Sequence, residues 1–163
     1  MASGIRKAEL KDLDAILEIY NDAVLNTTAT FDIVPRSNEE QVEWFSEHDN
    51  KFAVIVYEHE DKIIGWASLS KWNERPAYRN TAENSVYVKK DSRGRGIGRE
   101  LLSGIVNIAK ANGFHTIIAR IAEGNKTSVK MHSEIGFEII GIMKEAGWKF
   151  ERWIDVTLMQ KML

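Results

Sequence analysis

Val86-Tyr87-Val88-Lys89-Lys90-Asp91-Ser92-Arg93-Gly94-Arg95-Gly96-Ile97-Gly98-Arg99-Glu100-Leu101-Leu102 passes from strand chemistry to helix chemistry through three alternating glycines. The β-branched and aromatic run at its start predicts a strand, stopped at Lys89-Lys90-Asp91. Lacking Cβ atoms, Gly94, Gly96 and Gly98 let backbone N–H groups come close to an anion, and the helix start around Ile97 adds a partial positive charge. Arg93, Arg95 and Arg99 supply further charge, so a pyrophosphate fits the segment. The alternative is a flexible turn bearing solvated arginines, and the loop alone does not separate the two. A Walker loop needs a Gly-Lys-Ser/Thr ending and a dinucleotide fingerprint needs Gly-x-Gly-x-x-Gly; neither template fits.

The rest of the chain gives such a loop its importance. With 22 basic and 24 acidic residues the formal net charge is −2, so no global field holds nucleic acid or an anionic membrane, and any anion must be bound locally. The 163 residues, 44% hydrophobic and 28% charged, are expected to form one domain over 1–163. The chain has no cysteine, which excludes disulfides, thiolate metal sites and covalent thiol catalysis. Its four histidines lack metal-ligand spacing. No apolar run approaches the roughly 18 residues of a membrane span, and no apolar leader opens the chain, so a soluble cytoplasmic protein is expected. Ala2-Ser3-Gly4 reads as an appended remnant, with structure-forming pattern from Ile5 onward.

Outward from the loop, apolar spacing predicts helices over Lys11 to Leu25, over a short segment capped by Ser37 and Glu40, over Gly98 to Ala111 and over Asn125 to Ile135. Strands are predicted at Phe52 to Tyr57, Ile63 to Leu69, Ser85 to Val88, Thr116 to Ile121, Phe137 to Met143 and Arg152 to Met159, the first two forming a hairpin about Glu60-Asp61. The order makes a mixed α/β sheet.

Arg93-x-x-Gly96-x-Gly98 after Val-Tyr-Val resembles the acetyl-CoA loop of GNAT acetyltransferases. Asn125-x-x-Ser128-x-x-Met131-His132-x-x-x-Gly136-Phe137 is similar to that family's late helix. Thr81 to Val88, His132 and Gly147 to Asp155 resemble its phosphinothricin (methionine sulfoximine) N-acetyltransferase branch, as do Tyr20-Asn21, Thr30-Phe31, Trp44-Phe45 and Arg75-x-x-Tyr78. The resemblance runs from about Ile5 to Gln160; Glu151, Ala82 and Trp148 depart from it. It implies a GNAT fold: a mixed, mostly antiparallel twisted sheet of about six to seven strands with about four helices. It also implies acetyl-CoA as co-substrate without a metal, a homodimer, and an amino-acid-like acceptor such as phosphinothricin, methionine sulfoximine or methionine sulfone.

Acetylating an amine requires a neutral nitrogen, so a base must take the ammonium proton. By resemblance that base is Glu83; free Glu has a pKa of about 4.3, so apolar and aromatic surroundings are expected to raise it. His132 stands where the branch has a histidine able to act as acid or base. The cofactor is expected at Val86, Tyr87 and Val88, at Arg93, Gly94, Arg95, Gly96, Ile97 and Gly98, and at Asn125 and Ser128. Backbone N–H groups of Val86 to Val88 also suit a tetrahedral oxyanion, provided the strand is bulged or splayed there. Arg75 offers a fork for the acceptor's carboxylate or phosphinate, with Tyr78, Phe31 and Trp72 as pocket wall. Two other readings are a GNAT enzyme for a protein amino terminus or an aminoglycoside, and a non-catalytic CoA-binding sensor.

Overall fold

The computed structural model describes residues 3–163. Its elements run β1 (Ser3–Lys7), α1 (Leu13–Asn26), α2 (Asn38–Ser46), β2 (Val54–His59), β3 (Lys62–Lys71), β4 (Thr81–Val88), α3 (Ile97–Ala111), β5 (Thr116–Ala122), α4 (Lys126–Glu134), β6 (Glu138–Lys149) and β7 (Arg152–Met162). All seven strands join one sheet in the order β1-β2-β3-β4-β5-β7-β6. Each neighbouring pair is antiparallel except β4 with β5. The expected GNAT-type mixed sheet with four helices is the one observed. β1 goes beyond the sequence reading: Ser3 and Gly4 pair with His59 and Glu58, so they belong to the fold, while Ala2 lies outside the described residues.

Strand alternation sends neighbouring side chains to opposite faces, and the two faces carry separate cores. Leu101, Leu102, Ile105 and Ala109 of α3 pack on Ala67, Leu69, Ile117 and Ala119. On the other face Ile16, Ile19, Tyr20 and Val24 of α1 meet Val54, Val56 and Trp66. Burying one such Leu or Ile contributes roughly 1.5–3 kcal/mol, so these faces fix the strand register. The Ser37–Glu40 capping box is present in both directions, at 3.2 and 2.8 Å, and starts α2. Glu60 and Asp61 have positive φ, which closes the β2–β3 hairpin where the sequence placed its turn. Among the described residues no helix is long and apolar enough to cross a membrane.

The feature that positions the site is a split in the sheet. β4 and β5 pair only at Thr81↔Thr116, Ala82↔Ile117 and Glu83↔Ile118. Beyond Glu83, β4 continues on β3 as far as Val88, and β5 continues on β7 as far as Ala122. The strands therefore part at Glu83 and leave a cleft between Asn84–Val88 and Ala119–Ala122.

Candidate active site

The parted edge of β4 exposes backbone polar groups that a continuous sheet would have paired. Lys89 N–H donates to Ile64 O at 2.8 Å, so by the alternation of an antiparallel ladder the N–H groups of Val88 and Val86, beyond the last β4–β5 pair, turn toward the cleft. This narrows the expectation for Val86 to Val88: Tyr87 directs its amide into the β3 ladder and offers the cleft its ring instead. The splay required for these amides to meet a ligand is present.

The glycine loop follows directly. Gly94 and Gly96 have φ of +76° and +81°, left-handed conformations that side chains rarely adopt, and open space surrounds both Cβ positions. Gly98 serves a different need, because a Cβ there would meet Met131 Sδ at 3.2 Å and Val88 Cγ2 at 3.6 Å. Gly96 occupies the N-cap of α3 with no side-chain cap, so the first-turn amides are free for an anion. Arg93 folds back to donate to Val88 O at 3.1 Å. Arg99 lies 3.6 Å from Glu134 of α4. Among the described residues Arg95 makes no ion pair.

A cavity of about 590 Å³ occupies the cleft and reaches down to the α1–α2 connection. Glu83, Asn84, Val86, Tyr87, Asn125, Ser128, His132 and Phe31 all line it. Arg75, Tyr78 and Trp72 do not; Arg75 and Tyr78 are exposed on the β3–β4 connection, where Pro76–Tyr78 forms a 3-10 turn.

Glu83 is not enclosed by the apolar surroundings expected from the sequence. Both its oxygens are held by Arg120 of β5, Nε to Oε1 at 2.6 Å and Nη2 to Oε2 at 2.7 Å. The Arg120 guanidinium lies over Trp72 at 5.6 Å, so Trp72 supports the ion pair from outside the cavity. Sequence reasoning missed Arg120, although a signal was there: one arginine stands in the otherwise small and apolar run Thr116-Ile-Ile-Ala-Arg-Ile-Ala122.

His132 approaches from the opposite face, because Ala82 and Asn84 point toward α3 and α4 while Glu83 points away. The imidazole is only 4% exposed. Burial pushes its pKa below the usual histidine value, against a raising contribution from the Ser128 backbone. Nδ1 lies 2.8 Å from Ser128 O, an acceptor only, so Nδ1 carries the proton; Nε2 then accepts from Asn84 Nδ2 at 3.0 Å. Asn84 Oδ1 is buried and has no partner among the described residues. Asn125 caps α4 by accepting from Ser128 N–H at 3.1 Å.

Toward the α1–α2 connection the wall is polar. Tyr20 bonds Asp32 and Thr30, and burial together with Asp32 pushes its phenol up to about 12. The Arg36 guanidinium lies over the Tyr20 ring at 4.3 Å. Among the described residues no group of three or more His, Asp or Glu side chains is placed to hold a metal ion.

A split sheet with a glycine cradle in line with it suits an enzyme that lays a long, phosphate-bearing carrier between two strands and works on a group at its far end. A model of the acetyltransferase (GNAT) domain matches residues 5–158, and the chain belongs to that family. An L-methionine sulfoximine/L-methionine sulfone acetyltransferase of Pseudomonas aeruginosa is 40% identical over 162 residues, covering 98% of this chain and 94% of that protein. A phosphinothricin N-acetyltransferase of Alcaligenes faecalis is 35% identical over 164 residues, covering 99% and 83%. The crystal structure of a GNAT superfamily phosphinothricin acetyltransferase from Sinorhizobium meliloti, in complex with acetyl-CoA, matches with a TM-score of 0.96 at 39% identity, covering 100% of this chain and 89% of that one.

Proposed function

We propose that this acetyltransferase moves the acetyl group of acetyl-CoA to the α-amino group of a small amino-acid-like acceptor of the methionine sulfone, methionine sulfoximine or phosphinothricin type. The observation that carries the reading is the parting of β4 from β5 at Glu83, which aligns unpaired amides between the glycine loop and a carboxylate.

In this reading the amides of Gly94 to Gly98 and the α3 start hold the diphosphate, with Arg93 and Arg95 beside them. The pantetheine arm runs along the free edge of β4, where the Val88 N–H donates to it, with Asn125 and Ser128 across the cleft. Asn84 Oδ1 is available to an amide N–H of the same arm. Glu83 takes a proton from the acceptor's ammonium group, and the neutral nitrogen attacks the thioester carbonyl. The Val86 N–H stabilises the oxyanion, which then collapses with loss of CoA thiolate while the nitrogen gives up its second proton to the sulfur, so that amide and free thiol leave. The transfer is direct, with no covalent enzyme intermediate. His132, with both ring nitrogens engaged, positions Asn84 on the thiol side of the cleft. Phe31 forms part of the acceptor wall.

The protein works as a homodimer in the cytoplasm. Support for the dimer is the edge strand β6, where Ile139, Ile140, Ile142 and Trp148 are exposed beside Trp153 of β7. Thiol release from acetyl-CoA across a panel of amino acids, amines and peptides tests the function. Turnover is expected with methionine sulfone or phosphinothricin, reduced at least about tenfold by Glu83→Gln with acetyl-CoA affinity retained. Unchanged turnover in that variant would remove Glu83 from the mechanism.

A further inference from the structure

Arg120 meets Glu83 through one edge of its guanidinium, formed by Nε and Nη2. The adjoining edge, Nη1 with the second N–H of Nη2, makes no hydrogen bond among the described residues. Arg120 lines the cavity with its side chain 53% exposed, whereas Glu83 is 16% exposed. Glu83 holds the guanidinium on one edge and Trp72 supports its face, so the free edge is a fork already fixed in direction.

We propose that this free edge of Arg120 receives the acid group of the acceptor, and that Glu83 and Arg120 together form a receptor for an α-amino acid in its zwitterionic form. The proposal rests on the acetyl-transfer reading above and names the acceptor's recognition element. An α-amino acid carries its ammonium and carboxylate on one carbon, and the ion pair presents the complementary charges side by side. A carboxylate bound end-on to Nη1 and Nη2 sets the attached ammonium against Glu83 Oε2, which shares Nη2 with it. The ammonium proton then passes to Glu83, leaving a neutral amine. With two carboxylates sharing one guanidinium, Glu83 is held less tightly as it takes that proton. Arg120 therefore supplies the fork that the sequence reading sought in Arg75, which lies outside the cavity.

The test pairs a change in the protein with a change in the substrate. L-Methionine sulfone and its carboxamide, which lacks the carboxylate charge, are compared as acceptors for the wild type and for Arg120→Gln. Loss of a charge-assisted fork is expected to lower kcat/KM by about tenfold or more. Each single change should cause this loss, and the two together should cost no more than Arg120→Gln alone, because the carboxamide removes a contact that the variant already lacks. Losses that multiply would overturn the proposal, since they would mean that Arg120 only steadies Glu83. Calorimetric titration gives a second readout: methionine sulfone bound no more tightly than its carboxamide by the wild type overturns the proposal whatever the transfer assay gives. Absence of acetyl-CoA binding would instead strike the acetyl-transfer reading.

Discussion

His132 sits buried and neutral, sharing protons with Ser128 and Asn84, and this state has a consequence for stability. Its folded pKa lies below its unfolded value near 6.5, so the unfolded chain binds more protons as pH falls, and folding stability must fall with it. His48, also depressed chiefly by burial, contributes with the same sign. Denaturant unfolding is therefore expected to give stability that falls as pH is lowered from 7.5 to 5, and His132→Gln should flatten part of that slope. An unaltered slope would mean that His132 is not held as described. Single residues were unevenly legible in the sequence. Glu83, His132 and Asn125 stand in contiguous motifs that carry the family resemblance, and the loop glycines stand out by their own spacing. Arg120 and Asn84 acquire their contacts with Glu83 and His132 only across the sheet, when β5 is laid beside β4 and α4 above it. Arg75 was attractive for its chemistry alone, and the 3-10 turn at Pro76–Tyr78 leaves it exposed outside the cavity.

Among the elements, the strand–loop–helix unit carries the strongest demand on backbone conformation. Gly96→Val forces a β-branched residue into a φ of +81° at the α3 start, so acetyl-CoA affinity measured by calorimetry should drop while the protein remains folded. Unaltered affinity would disprove the loop's proposed role. A second element-level contact joins β6 to the α1–α2 connection. Lys149 Nζ donates to Thr30 O at 2.8 Å, and a Cβ at Gly147 would lie 2.2 Å from the Phe31 ring. Gly147→Ala is expected to push Phe31 out of the cavity wall, raising the KM for the acceptor and leaving acetyl-CoA binding unchanged in the same calorimetric assay. Helices were the most readable elements because α1 and α3 repeat apolar residues with helical spacing over about four turns. β1 was not readable: Ser3 to Lys7 mixes a glycine with two basic residues and becomes a strand only because β2 offers it an edge. The splay at Glu83 was stated only as a condition, because local sequence sets a strand's pattern but not where its neighbour leaves it.

At the scale of the whole molecule, the sheet ends in a twelve-residue edge strand, β6, with an exposed apolar ribbon. Light scattering is expected to give about twice the 18.6 kDa chain mass, shifting to the monomer mass in Ile140→Lys with Trp148→Lys. A wild-type monomer at micromolar concentration would remove the dimer from the account. The same overall arrangement splits the sheet at its centre, with the glycine-loop amides at one end of the gap and the Glu83–Arg120 pair at the other. This unites the separate motifs into one machine for acetyl transfer. Incubating the purified protein with acetyl-CoA and L-methionine sulfone, and following free thiol together with N-acetylated product by mass spectrometry, tests that claim most directly. One thiol should appear for each α-N-acetyl product formed, at a rate far above the protein-free mixture. A folded protein that yields no N-acetylated product would contradict the account.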